Sequence, residues 1–341
     1  MGQGEQIGLS DGGLRLAIIA DDLTGALDAA APFSDRGLRV RVATCAAALA
    51  EALRQAEVVA VSTRSREIAP QAARAAVAAV LAGLPPGVRL FKKVDSRLKG
   101  NIAAELAAFP EGPVLAVPAL PEFGRVVTGG AVRGWGIAPP IAVAAALGRP
   151  ALVPDVATAT EMEAALASAP GHLVVGARGA AVALAAGIGW AEAVPPALAL
   201  PMVIAVGSTD PITLAQVAAL RGFPGLRYVP APDGRVEVGP APGVTLVQAV
   251  PGDGASSGPQ IAAALAATVV RAARGAATLV LTGGATAEAV LDALGVQVLD
   301  LHGDMQPGLP LSSGGGWRIV TKSGGFGDAG ALLRLAEGAG G

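Results

Sequence analysis

A single cysteine, Cys45, stands in the 341-residue chain. No intramolecular disulfide framework is available, and a reducing compartment suits it. Aromatic residues amount to only 3%, too few for the base-stacking platforms of single-strand nucleic-acid binding. Lys and Arg form no long run, and 25 of them against 27 Asp and Glu leave a net charge of -2. That excludes an electrostatic surface for nucleic acid or for an anionic membrane. One cysteine and two separated histidines, His172 and His302, give no zinc spacing. Although 52% of the residues are hydrophobic, much of that is alanine, and no stretch of about 20 residues is free of Pro, Gly and charge as a spanning helix requires. The opening residues 1–13 are polar and lack the basic-then-apolar order of a signal peptide. The expectation is a cytoplasmic protein with no membrane or nucleic-acid partner, and homo-oligomerisation stays open.

The informative stretch begins at Leu16. Leu16 to Ala20 is an unbroken apolar run, read as a fully buried strand, and Asp21 and Asp22 follow at once. Leu23, Ala26, Leu27, Ala30 and Phe33 then fall at helical spacing, with Gly37 where a helix would end. A carboxylate pair between a buried strand and a helix lies at the rim of a parallel sheet, where α/β folds bind ligands. One Asp can cap the helix, but a pair is more than a cap needs: both could hold a sugar hydroxyl, and one could take its proton.

Alternation continues downstream. Residues 39–44 read as an edge or half-covered strand, 46–55 as a helix, 58–62 as a strand and 70–84 as a helix with Pro70 in its first turn. A strand at 88–94, a helix at 102–109 and a strand at 114–117 follow. This order implies a parallel sheet with right-handed crossovers. Polar clusters follow the strands: Asp21–Asp22; Ser65 and Arg66; Asp95 and Ser96, with Lys93 at the strand end; and residues 118–125, ending in Arg125. Folding brings them to one sheet edge. Guanidinium groups suit carboxylates and aspartates suit hydroxyls or a metal, so a small polyhydroxy acid would use both kinds.

Residues 129–201 blur into a Pro- and Gly-rich loop or cover, with a helix at 158–168, a strand at 172–175 and a linker at 194–201. The second half repeats a strand–glycine–helix theme. Residues 202–206 lead into Gly207 and Ser208; residues 278–282 lead into Gly283, Gly284, Ala285 and Thr286; residues 317–321 lead into Lys322, Gly324, Gly325 and Gly327. Glycines between a strand and a helix N-terminus expose N–H groups to phosphate, and three such turns favour a nucleotide site.

These residues resemble a known family. ADDLTGALDAA (20–30), KKVDSRLKGNIAAEL (92–106), PALPEFGR (118–125), GSTDPITLAQV (207–217), LTGGATAEAVLDALG (281–295) and KSGGFGD (322–328) resemble, in order, the motifs of the four-carbon acid sugar kinases. The resemblance implies an α/β fold of two domains, each a largely parallel sheet flanked by helices, with the active site in the cleft between them. Residues 14–194 would bind the acid and 201–338 the nucleotide. ATP and Mg²⁺ are the implied cofactors, and threonate, erythronate or a 3-oxo-tetronate the acceptor. Asp21 or Asp22 would serve as base, Lys93 would face the transferring phosphoryl group, and Arg66 and Arg125 would clamp the carboxylate. Ser208, Gly283 to Thr286, Gly324 and Gly327 would hold the nucleotide. The chain departs from the pattern at Arg97 and Lys99, at Val126 and Val127, in a shortened segment after Gly130, and at Ala285, where the family has an acidic residue. The departures leave a second reading, a degenerate member that binds sugar acid or nucleotide without efficient transfer. A Rossmann dehydrogenase is disfavoured because the first strand leads into two aspartates rather than G-x-G-x-x-G.

Overall fold

The structure, a computed structural model, describes residues 13–189, 191–254 and 256–340. The opening polar residues therefore lie almost wholly outside it. Sixteen strands are described: β1 Leu16–Ala20, β2 Val40–Ala43, β3 Val58–Ser62, β4 Arg89–Lys93, β5 Val114–Val117, β6 Arg125–Thr128, β7 Ala131–Gly134, β8 Ile141–Ala142, β9 Leu173–Gly176, β10 Met202–Val206, β11 Arg227–Pro232, β12 Val244–Val250, β13 Thr278–Thr282, β14 Val298–Gln306, β15 Leu309–Gly314 and β16 Trp317–Lys322. The fold is α/β, a largely parallel sheet flanked by helices, as the sequence implies.

The sheets of the two halves are joined. Thirteen strands run in the order β11-β12-β10-β13-β16-β15-β14-β2-β3-β1-β4-β9-β5. Pairing is parallel in each half and antiparallel only around the β14–β15 hairpin, which lies between β16 and β2. At the junction Val298 to Leu301 pair with Ala43 to Val40. β2 is therefore an interior strand rather than an edge, with Val40 and Val42 buried and Arg41 between them partly exposed. Its arginine at the alternate position, Arg41, reaches Asp300 of β14 at 2.8 Å.

Short apolar strands form because both faces are covered: every residue of β1, β3, β5, β10 and β13 is buried. The helix Leu23–Asp35 packs between the halves, against β3 on one side and β14 on the other. The stretch from residue 129 read as loop or cover supplies β7 and β8 of a small antiparallel sheet β6-β7-β8. The first strand of this sheet starts at Arg125, which fixes that residue beside the carboxyl ends of β1 and β4. No described helix is long and apolar enough to cross a membrane.

Candidate active site

Asp22 is the N-cap of the helix Leu23–Asp35, in extended backbone, and its Oδ1 accepts the Gly25 N–H at 2.8 Å. Gly25 is needed there for close approach. A Cβ on it would lie 2.4 Å from Asp22 Oδ1 and 3.3 Å from Lys93 Nζ. Arg66 spans the two aspartates. Its Nε and Nη2 donate to Asp21 at 2.7 and 2.8 Å, and its Nη1 donates to Asp22 Oδ2 at 2.7 Å. Two adjacent carboxylates are thereby pushed apart in acidity. Burial raises Asp21, but the Arg66 hydrogen bonds, with Lys92 and Lys93, outweigh it and hold Asp21 below the usual range. For Asp22 burial dominates; Arg66 opposes it, Asp21 adds to it, and the carboxyl ends above its ordinary value. The split leaves Asp21 held ionised and Asp22 the more basic of the two.

Arg125 sits deeper, 3% exposed. Its Nη1 donates to Ser96 Oγ, and its Nε and Nη2 donate to the Trp135 carbonyl at 3.2 and 3.0 Å. Among the described residues no carboxylate lies within ion-pair distance of it. Burial first, then the nearby Arg97, lowers its guanidinium from the ordinary value, with Asp95 opposing.

The nucleotide-side turns meet this edge. Gly283, with φ +100, sits before the helix Gly284–Leu294 in a conformation closed to side chains with a Cβ. A Cβ on Gly284 would lie 3.4 Å from Thr24 Oγ1 and 3.6 Å from Asp22 Oδ2. Glu288, one turn on, accepts the Leu23 N–H at 3.1 Å. Burial raises its carboxyl; the Leu23 bond and Arg64 oppose this, and Asp22 and Asp292 add to it. Arg64 forms a bidentate pair with Asp292 at 2.6 and 2.7 Å. The result is a cleft of about 500 Å³. Asp21, Asp22, Arg66, Asp95, Ser96 and Arg125 line it from one half, and Asp210, Gly284, Ala285, Glu288 and residues 323–326 from the other.

Several expected site residues are placed elsewhere. Ser65 is fully buried, bonded to Glu105 and to Thr63 Oγ1 at 2.5 Å, so its hydroxyl faces the core. Glu105 also pairs with the buried Lys92 at 2.8 Å. Lys93 lines a small annex beside Asp22 and Asp95 and donates to the Val94 carbonyl at 3.1 Å. Lys322 is completely buried. Its Nζ donates to the carbonyls of Ser323, Gly324 and Phe326 at 2.8, 2.9 and 3.1 Å, and burial pushes its amine down to about 8, with Asp210 opposing. It shapes the glycine loop from beneath. Ser208 accepts the Asp210 N–H at 3.2 Å behind the turn, and Gly283, Thr286 and Gly327 also lie behind the lining residues.

Residues the sequence reading did not single out include Trp135, Phe326, Asp210 and Arg64. Asp210 and Phe326 lay inside recognised motifs, where the glycines drew attention. Trp135 had a usable signal, a bulky aromatic between two glycines in a chain poor in aromatics. Glu105 was a lone acid among apolar helical positions.

Two family models match the chain: a sugar-binding N-terminal domain over residues 16–136 and a nucleotide-binding C-terminal domain over residues 243–332. A D-threonate kinase of Cupriavidus necator is 32% identical over an alignment covering 92% of this chain and 95% of its own. The chain belongs to the four-carbon acid sugar kinase family. Another D-threonate kinase, from Bordetella bronchiseptica, is 33% identical, with 96% and 98% of the two chains covered. Solved structures of a Salmonella typhimurium LT2 protein and a Haemophilus influenzae protein share the fold. Their TM-scores are 0.74 and 0.66 at 20% and 19% identity; each alignment covers 94% of this chain, and 98% and 99% respectively of theirs. As a member of this family the protein is a kinase, and the two-sided cleft is where its chemistry has to be sought.

Proposed function

We propose that the protein transfers the γ-phosphoryl group of ATP to a hydroxyl of a four-carbon sugar acid, with D-threonate the first candidate because it names the acceptor of both full-length relatives. One observation carries this reading. A half-buried aspartate of raised proton affinity, Asp22, faces a glycine turn at a helix N-terminus, and a buried arginine without a carboxylate partner, Arg125, lines the same cleft. An anion-binding corner, a base and a phosphate-binding turn are what phosphoryl transfer to a hydroxy acid needs from a protein.

In this reading residues 14–194 hold the acid and 201–338 the nucleotide. The carboxylate of the acid pairs with Arg125 and accepts from Ser96 as well. The acceptor hydroxyl lies against Asp22. Its oxygen forms the new bond to phosphorus as the bond to ADP breaks, and its proton passes to Asp22. Arg66 is less a substrate clamp than an anchor, because three of its donors already hold Asp21 and Asp22. It keeps Asp21 charged and aims Asp22 across the cleft. Lys93 supplies positive charge behind the reacting hydroxyl. The N–H groups at Gly284 and Ala285 and the loop 323–326 receive the phosphates.

Among the described residues no three His, Cys, Asp or Glu side chains could hold a metal by themselves. Asp22, Asp210 and Glu288 nevertheless share the cleft, which fits a Mg²⁺ that arrives on the nucleotide and takes one or two protein carboxylates. Bound there, Mg²⁺ would neutralise phosphate charge.

The test is ATP-dependent phosphorylation of D- and L-threonate, D-erythronate and their 3-oxo forms. Turnover of one of these acids is expected. Binding of acid and ATP with no turnover of any of them would favour the degenerate-member reading.

A further inference from the structure

We propose that Phe326 is a positioning residue that couples the two ligand sites, so that a bound nucleotide sets the grip of Arg125 on the acid and the bound acid tightens the nucleotide loop. This rests on the assignment of the acid to Arg125 and the nucleotide to the glycine turns.

The backbone of Phe326 is tied to the nucleotide half. Its carbonyl accepts from Lys322 Nζ at 3.1 Å and from Gln216 Nε2 at 2.9 Å, and the same amine and amide also hold the carbonyls of Ser323, Gly324 and Asp328. Its ring leaves that half and crosses the cleft. It meets the ring of Phe123 edge-on, with centroids 5.2 Å apart at 66°. Phe123 in turn stacks on Trp135, 5.8 Å away and 23° from parallel. Trp135 carries Arg125 in two ways. Its carbonyl accepts from Arg125 Nε and Nη2, and its ring lies 5.1 Å beneath the guanidinium carbon. A continuous set of contacts therefore runs from the phosphate-side loop to the anion-binding fork.

Aromatic pairs prefer offset-stacked or edge-to-face orientations, so fixing one ring biases the orientation of the next. When phosphates settle on residues 323–326 the Phe326 ring is fixed, and Phe123 and Trp135 are fixed with it. The Trp135 carbonyl then presents Arg125 to the acid in one orientation. A contact that merely filled space would contribute to stability and leave the two binding events independent. Coupling between sites is reciprocal by thermodynamic necessity, which separates the two roles. The functional sense is protection of ATP: the reacting groups are aligned fully only when the acid is present to exclude water.

Calorimetry of the full chain decides it. D-threonate is titrated alone and with saturating Mg²⁺ and a non-hydrolysable imido analogue of ATP, and the nucleotide is titrated with and without the acid. Wild type should show equal enhancement in both directions, within the roughly 5- to 150-fold span usual for coupled sites. Phe326→Leu and Phe326→Ala should bring that factor below about threefold. Phe123→Leu, altering the partner ring, should do the same, and the double variant should add nothing further. In turnover the acid KM should rise at saturating nucleotide. Independent binding in wild type overturns the proposal while leaving the kinase assignment intact, and so does undiminished coupling in the folded variants. Wild type that binds neither ligand would remove the assignment itself and the proposal with it.

Discussion

Arg125 and Arg178 are both buried arginines, and the structure separates what each is for. Arg178 is surrounded by acids: Asp28 at 3.3 Å, Glu122 at 3.1 Å and Asp304 at 2.5 Å. Replacing it with Met strands those carboxylates, and breaking a buried ion pair costs about 3–5 kcal/mol of stability. Arg125 has no such partners. Arg125→Met forfeits charged hydrogen bonds to Ser96 and the Trp135 carbonyl, worth about 1.5–3 kcal/mol each, but it also removes an uncompensated buried charge. The two effects largely offset, so its stability should stay within about 1 kcal/mol of wild type. Substrate binding should show the reverse order. Deleting one partner of a buried charged contact costs about 2–5 kcal/mol, a rise in acid KM of roughly 30-fold to several thousand-fold at about 1.4 kcal/mol per tenfold. Arg125→Lys retains charge without the fork and should fall between. Urea unfolding at pH 8 and coupled ADP-release kinetics measure both quantities on the same preparations. If Arg125→Met destabilises as much as Arg178→Met and leaves the acid KM alone, the assignment of Arg125 as the anion site is refuted.

Three further outcomes are expected. Asp22→Asn should lower kcat by about 10²–10⁴-fold, and Arg66→Gln, which withdraws the charge that partly offsets burial at Asp22, should move the acid limb of the pH–rate profile to higher pH; an unmoved limb would place the base elsewhere. Burial pushes the Asp304 carboxyl up to about 7, with Arg178 opposing and Asp28 and Asp35 adding. The folded state then keeps a proton that the unfolded chain releases near pH 4. Stability should therefore fall as pH rises from about 4 to 7, by up to about 1.4 kcal/mol per unit, and urea midpoints of Asp304→Asn should lose that slope; equal slopes would contradict it. Ala285→Asp should weaken nucleotide binding, because Glu288 and Asp22 already bring negative charge to that wall of the cleft; tighter binding by calorimetry would show that the missing acid was a ligand contact.

Strands covered on both faces were legible to the residue, because an apolar run such as Leu16 to Ala20 has only one place to go. The hairpin β14–β15 was not. Asp300, His302, Gly303 and Asp304 interrupt its apolar pattern, and its neighbour β2 lies more than 250 residues away in the chain. β11, β12 and the helix Gly258–Ala272 extend the second half beyond its three glycine turns. In the site, loops that follow parallel strands were easy to place. Which way their side chains turn was not, because that depends on partners remote in sequence. Ser65 turns inward to Glu105, Lys322 turns under its own loop, and Arg66 is taken up by two aspartates. Each of these is a local contest among hydrogen-bond acceptors that spacing alone does not decide.

The seam between β14 and β2 bears on how the cleft works. Backbone hydrogen bonds along Val298 to Leu301 make the floor of the cleft a single pleated surface, with the helix Leu23–Asp35 laid over the join. Jaws need a flexible root, and here the root is woven. Opening the walls by a wide swing would tear ladder bonds in the middle of the molecule, so the walls can only flex by the gentle twisting that a sheet allows.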